Sequence, residues 1–350
     1  MGKSAFYIIT IIGHYSDSLD GQTIKTKIVT DELIKKYGAT KINTFNTVGG
    51  IKALIKVFFK MPSVLKKSSN VIMLPAHNAV RVVTPLLTFW NHFYKRKLHY
   101  CVIGGWLPDF VAKRKWLAKK LRKFDCIYVE TKTMKEMLEK QEFNNIAVMP
   151  NCKNLTFLKS EELVCTEAEP HRLCTFSRVN KNKGIEEAIE AVKHINFISD
   201  RVVYTLDIFG QVDEGDKPWF DDLLKSFPSY VSYKGSIPFD KSVETLKDYF
   251  ALLFPTKYYT EGIPGTIIDA YAAGLPVIAS KWLNFDDIIE DEITGFGYEF
   301  NNTEALIDLL SRFATNPMSL LKIKTSCLKK YKEFSPEAAV SCIKIDDFAE

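Results

Sequence analysis

A chain of 350 residues is longer than one core usually grows, so two domains are expected. Its make-up, 46% hydrophobic and 25% charged with 17 Gly and 14 Pro, excludes a disordered or collagenous chain, and no apolar run approaches the ~18 residues of a membrane span. The net charge of +5 conceals an asymmetry: residues 1–150 hold 25 Lys and Arg against 10 Asp and Glu, net +15, while the remainder holds 22 against 32, net −10.

A first half so basic points to a polyanionic partner: nucleic acid, an anionic membrane or a phosphorylated ligand. The cysteines (101, 126, 152, 165, 174, 327 and 342) are scattered without a CxxC pair, which argues for reduced thiols in a cytosol and against disulfides or zinc. In chain order, Phe6–Ile12 reads as a strand, too short for a signal peptide and followed by no small-residue cleavage site. The spacing then predicts a helix over Gln22–Tyr37 and strands at Val71–Leu74, Tyr100–Ile103 and Cys126–Val129. A helix over Thr131–Gln141 and a strand at Ile146–Met149 follow. The stretch Pro150–Pro170 is aperiodic, carries Glu161, Glu162, Glu167 and Glu169, and is the expected linker.

The pattern restarts with a strand at Arg172–Phe176, a helix at Gly184–Asn196 and a strand at Tyr204–Phe209. Next come a helix near Trp219–Ser226, a strand at Tyr230–Tyr233, a helix at Ser242–Tyr249 and a strand at Ala251–Phe254. Helices between strands require parallel crossovers, so the fold class is α/β with two doubly wound αβα domains. Such domains bind ligands beyond the carboxyl ends of their strands, in the cleft expected between them.

Beyond the strand Ala251–Phe254, Thr260–Ser280 reads TEGIPGTIIDAYAAGLPVIAS. Gly262 and Gly265 let a backbone approach a ligand closely, and Pro264 stiffens the turn. A helix is predicted over Thr266–Ala273, stopped at Gly274. Free N–H groups of Ile263, Gly265, Thr266 and Ile267 beside its positive end make an anion site suited to phosphate. Glu261 and Asp269 then offer carboxylates to sugar hydroxyls. Arg178 and Lys183 follow the first strand of the same domain, where a bidentate fork and a point charge can clamp a diphosphate.

The E-G-x-P pattern with AAGLPVIAS, and FSRVNKNKGIEEAIEAV upstream, resembles the retaining glycosyltransferases of the GT4 type, and the resemblance covers most of the chain. VMPNCKNL (Val148–Leu155) is similar to their inter-domain segment, and VSYKGSIPFD (Val231–Asp240) to the strand and loop before the donor site. It implies the GT-B fold: an acceptor- and membrane-facing Rossmann-like domain at 1–160 and a donor-binding one at 170–335, their parallel sheets facing across a cleft. A terminal helix at about 336–350 is expected to pack back on the first domain. In the family's E-x7-E pair the first carboxylate falls on Glu261, contacting sugar hydroxyls, and the second on Asp269, gripping the ribose diol. Glu in that second place is shortened to Asp here. The family's basic pair falls on Arg178 and Lys183, which would stabilise the leaving diphosphate. Gly210, with Gln211 and Lys234–Ser236, is expected near the nucleotide base. The loop Gly13–Thr23 resembles the first-domain glycine loop, with Gly13, Gly21 and Gln22 as its contacts. Many relatives carry a histidine where this chain has Ile103–Trp106; His14 and His77 lie near other strand ends.

The resemblance implies a hexosyltransferase of bacterial surface or capsular polysaccharide assembly, cytoplasmic and peripheral on the inner face of the membrane. Its donor would be a UDP-hexose, its acceptor a lipid-linked saccharide, and its reaction retaining. No Asp-x-Asp falls at a strand end, so neither metal nor other cofactor is expected and the leaving-group charge would be met by basic residues and amides. Phe110–Phe124 reads as a basic amphipathic helix, with Lys113, Arg114, Lys119, Lys120 and Lys123 around an apolar face of Trp116, Leu117, Leu121 and Phe124; such a helix lies on anionic membranes. Lys52–Lys67 and Lys95–Lys97 are further basic stretches of this kind. A nucleotide-sugar epimerase of the same architecture is the alternative, though it needs acid and base groups that the sequence does not offer. A nucleic-acid partner is not expected, because no reading motif accompanies the basic half.

Overall fold

Strands buried on both faces of a parallel sheet read as unbroken apolar runs, while helices that cross between them are apolar on one side only. Both patterns recur along the chain, whose computed structural model describes residues 6–16, 21–48, 50–75 and 77–345, with backbone alone at 50–56. Two units result: Met1–Asn154 with Glu333–Glu350, and Leu155–Lys332.

The first unit runs β1 (Tyr7–Gly13), α1 (Gly21–Tyr37), β2 (Ile42–Asn46), α2 (Gly50–Lys67), β3 (Ser68–Met73), α3 (Val80–Tyr94), β4 (Lys97–Cys101), α4 (Leu107–Ala112), α5 (Lys115–Leu121), β5 (Cys126–Val129), α6 (Lys132–Glu139) and β6 (Ile146–Val148). All strands are parallel, in the order β2-β1-β3-β4-β5-β6. One core cluster holds Ile12 with α2 to α6, and another holds Ile9 and Ile11 with α1, so the sheet is covered on both faces.

Two strands begin earlier than their apolar residues indicate. In β3, Ser68, Ser69 and Asn70 are buried. Their polar groups are absorbed laterally: Thr10 Oγ1 bonds Ser68 Oγ, Asn43 Nδ2 donates to Thr10 Oγ1 (3.1 Å), and Asn70 Nδ2 donates to the Ile8 carbonyl (3.2 Å). Buried polar groups are tolerated when so paired. Edge strand β2 and helix α3, with Pro85 inside it, have no counterpart in the expected elements.

The expected single helix over Phe110–Phe124 is corrected to two short ones. The chain leaves helical geometry at Arg114 (φ −140°, ψ 67°), whose guanidinium stacks on Phe110 at 3.8 Å. Phe110, Leu117, Leu121 and Phe124 are buried in the core, and only Trp116, 48% exposed, faces outward. Lys113, Lys119 and Lys123 are exposed, Arg114 and Lys120 half-buried. The apolar stripe is spent on the core and does not form a bilayer-facing side with Trp116.

The second unit runs β7 (His171–Phe176), α7 (Ile185–Ile198), β8 (Tyr204–Phe209), α8 (Lys217–Leu224), β9 (Val231–Gly235), α9 (Ser242–Leu246), β10 (Ala251–Phe254), α10 (Gly265–Ala272), β11 (Val277–Ser280), β12 (Gly295–Tyr298), α11 (Thr303–Thr315), α12 (Met318–Leu321) and α13 (Lys324–Tyr331). Its parallel sheet has the order β12-β11-β10-β7-β8-β9, so strand order reverses between β7 and β10. The stretch before β7 lies on this unit: Leu158 N–H donates to the Ala272 carbonyl (2.9 Å) and Lys324 Nζ to the Val164 carbonyl (2.6 Å). After α13 the chain returns to the first unit, where Ala339 and Val340 of α14 (Pro336–Ser341) join the cluster of α1.

His171 is buried and stacks on Phe250 at 4.3 Å. Burial disfavours the charged ring and lowers its pKa from the usual 6.5. As pH falls through the window below the unfolded value of about 6.5, the unfolded chain binds this proton first, so stability is lost there. The urea midpoint should therefore fall more between about pH 7.5 and about pH 5.5 in the wild type than in His171→Phe. Equal falls in the two proteins would mean that the ring titrates alike folded and unfolded.

Candidate functional site

The reversal between β7 and β10 places two loops side by side at the carboxyl edge of the second sheet, where ligands of such folds bind. Gly184 closes the first loop with φ +69°, and a Cβ there would lie 1.9 Å from the Pro255 carbonyl oxygen of the second. Only glycine allows that approach. Asn180 starts the short turn before it, its Oδ1 accepting from Asn182 N–H (3.1 Å). The contact brings Lys183 to Glu261: Nζ donates to Oε2 at 2.7 Å, both side chains being largely enclosed.

Glu261 is held further. Thr256 Oγ1 donates to Oε2 (3.3 Å), and the Glu261 carbonyl accepts from Asn284 Nδ2 (2.6 Å) and Trp282 Nε1 (3.2 Å). Asn284 is buried, and it follows β11. Arg178 is looser: its side chain is 71% exposed, with Nη1 3.5 Å from Asp213 Oδ1. The structure thus brings Lys183 to Glu261 and leaves Arg178 apart from them, held beside Asp213. Gly210, at the end of β8 with φ +133°, passes Ser177 so closely that a Cβ would lie 1.7 Å from its carbonyl oxygen. Its own carbonyl accepts from Tyr233 Oη (2.7 Å).

Gly262, Ile263 and Pro264 are buried, while Gly265 and Thr266, at the start of α10, are half-buried. No side chain caps this helix, and Thr266 Oγ1 has no hydrogen-bond partner. Two expectations are corrected here. Ile267 N–H is not free, because it donates to the Pro264 carbonyl (3.1 Å). Asp269, expected to offer its carboxylate to ligand hydroxyls, is instead 1% exposed and accepts from Ser242 Oγ (2.9 Å) at the start of α9. Helix α10 packs against α9 and α13, and the Asp269 carboxylate meets the first residue of α9.

In the first unit, Gly13 ends β1 against α1, where a Cβ would lie 2.4 Å from Thr26 Cγ2. Gly21 opens α1 and is exposed; Gln22 Nε2 donates to the Leu74 carbonyl (3.4 Å). Asp17 to Asp20 of this loop lie outside the described residues. His14 is half-buried after β1, and His77 is exposed with its ring 4.8 Å from Trp106 and 4.4 Å from Phe110. Beneath this edge lies a pair that the sequence did not announce: Lys25 Nζ donates to Glu130 Oε1 (2.7 Å) and to the Val102 carbonyl (3.1 Å), both side chains being buried.

Residues 166–334 match the model of the family described as Glycosyl transferases group 1. The second unit is a group 1 glycosyl transferase domain. The amylovoran biosynthesis glycosyltransferase AmsK of Erwinia amylovora is 24% identical over 177 residues, 49% of this chain and 43% of that protein, so the match spans less than half the relative's length. Among solved structures, Anabaena HepE, in complex with UDP and glucose, aligns with TM-score 0.72 and 12% identity over 96% of this chain and 98% of that one. Sucrose-phosphate synthase from Thermosynechococcus elongatus aligns with TM-score 0.73 and 15% identity over 95% and 96%. These likenesses show the fold, GT-B with two αβα units.

In the glycosyl transferase domain, sequence reasoning missed Thr256, Trp282 and Asn284, whose signal was only a Trp and an Asn just past a buried strand. Gly184→Ala should lower its stability by about 1–3 kcal/mol, through positive φ and the clash with Pro255. Gly21→Ala in the first unit, where a Cβ meets nothing within 4 Å, should stay within about 0.5 kcal/mol. Urea unfolding of both variants measures this; equal effects would contradict the close approach.

Proposed function

We propose that the protein is a retaining glycosyltransferase that moves a hexose from a UDP-sugar to a lipid-linked saccharide in cell-surface polysaccharide synthesis, working at the cytoplasmic face of the membrane. The observation that carries this reading is the Lys183–Glu261 pair at the carboxyl edge between β7 and β10, inside the segment that matches the family. A structural neighbour solved with UDP and with UDP-glucose supports the donor class, and the amylovoran relative supports the polysaccharide role.

A diphosphate that takes up Lys183 would release Glu261 Oε2 to accept from sugar hydroxyls, while Asn284 and Trp282 hold the Glu261 backbone. Arg178, exposed and weakly tied to Asp213, can turn its fork to a second phosphate oxygen. Gly262 to Thr266 would line the phosphate side beside the start of α10, whose amides add positive potential, and Gly210 the nucleotide side. These fixed charges meet the charge that develops on the leaving diphosphate, so the proposal invokes no metal. The acceptor oxygen bonds to the anomeric carbon on the face that the diphosphate leaves, the carbon–phosphate oxygen bond breaks, and the acceptor proton passes to a diphosphate oxygen. Asp269 serves by holding Ser242 and α9, and a direct ribose contact is not part of the proposal. Gly13, Gly21 and Gln22 belong to the acceptor side.

A thermal-shift panel of nucleotides and nucleotide sugars should raise the melting temperature with UDP and UDP-hexoses. Lys183→Ala and Glu261→Ala should abolish transfer, and Arg178→Ala should cost about 10²–10³ in turnover, the size of one charged transition-state contact. Near-normal turnover in any of the three would overturn the assignment. Exhaustive chelation should leave the rate nearly unchanged; a loss restored by magnesium or manganese would show that a metal carries the leaving-group charge.

A further inference from the structure

On the first unit, α2 and α3 pack side by side and turn aromatic rings outward. Phe58 is 43% exposed, Phe59 74%, Phe89 57% and Phe93 65%. Phe58 and Phe59 meet edge to face at 5.3 Å, while Phe89 and Phe93 lie 6.0 Å apart with Trp90 beside both. Single exposed apolar side chains are common, but two exposed Phe on each of two helices that pack together are more than a free surface usually carries.

The charge around the patch selects its occupant. Between Glu32 and Asp109 the chain holds 12 Lys and Arg and no Asp or Glu. Lys60, Lys66 and Lys67 of α2, Arg81 of α3 and Lys95 just after it are exposed. Helix α5, which packs against α3, adds exposed Lys119, and exposed Lys123 lies just after it. A second copy would bring the same positive surface to a two-fold contact, and like charges would oppose it. Apolar rings flanked by Lys and Arg, on helices that show no span-length apolar stretch among the described residues, match what lies in the interface of an anionic bilayer.

We propose that the outer face of α2 and α3 seats the protein on an anionic lipid bilayer, with Phe58, Phe59, Phe89 and Phe93 entering the headgroup–acyl boundary. The lysines and Arg81 meet lipid phosphates around them. This moves the membrane contact from α4–α5, whose apolar stripe is buried, to the neighbouring helices, and it leaves α5 a purely electrostatic share.

The test is sedimentation of the full chain with phosphatidylcholine vesicles made with and without phosphatidylglycerol. The protein should bind only the anionic vesicles, less so as salt is raised. Changing Phe58, Phe59, Phe89 and Phe93 together to Ser should cut partition by about tenfold or more at an unchanged melting temperature. Phe59→Ser with Phe93→Ser, the two most exposed, gives a smaller loss and serves if the fourfold variant does not fold. Lys119→Gln with Lys123→Gln should weaken binding less than either. The proposal is overturned if the Phe variants sediment like the wild type, or if the Gln pair has the larger effect. It is equally overturned if the patch instead holds a dimer that the Phe variants dissolve, or if a single-stranded oligonucleotide displaces the vesicles. Vesicle partition reads the surface alone, so it succeeds or fails independently of the donor site.

Discussion

Gly184 lets the loop after β7 touch the loop after β10 at Pro255, and the geometry of the candidate site depends on that contact. Because the approach is made by backbone, the positions of Lys183 and Glu261 are set before their side chains meet. Their 2.7 Å pair then spans the point where strand order reverses. On the proposed reading, a ligand anionic at one end and hydroxylated at the other would offer each of these charges a new partner. The outer supports are polar and buried, with Asn284 and Trp282 fixing the Glu261 carbonyl.

A second enclosed charge pair does different work. Lys25 and Glu130 join α1 to the ends of β4 and β5, and the Val102 carbonyl takes another of the lysine's protons. Removing both charges from water is costly, and the short contact with an extra hydrogen bond offsets much of that cost. Both side chains are almost fully enclosed, so the pair acts as a buried tie at the carboxyl edge of the first sheet. The distinction is one of burial: Lys183 and Glu261 keep some access to solvent, and Lys25 and Glu130 keep almost none.

The basic first half shows how far composition reaches. An excess of Lys and Arg is visible in the sequence, and it identifies a class of partner without saying which face meets it. Helical spacing around Leu117 and Leu121 marks an apolar stripe, but spacing is the same whether the stripe faces a core or a lipid. The break at Arg114 and the burial of Leu117, Leu121 and Phe124 settle that stripe as core. Phe59 and Phe93 are instead exposed, and nothing in the local pattern separates them from buried neighbours such as Val57 and Leu87.

By itself the sequence determined the parallel α/β class and most strands, because apolar runs such as Ala251–Phe254 and Cys126–Val129 carry their burial in their composition. It also determined that Glu261, Arg178 and Lys183 fall beyond strand ends, since element order fixes that. Strand starts at Ser68 and Lys97 were not legible: the first opens on buried hydroxyls and an amide whose partners lie far along the chain, and the second on an exposed lysine. Nor was the fate of Asp269, on which a motif and a helix position say nothing about what lies above; Ser242 and α9, from 27 residues earlier, cover it. Only the tertiary structure decided these points, because burial and pairing are made between segments, whereas periodicity and motif spacing are made within one.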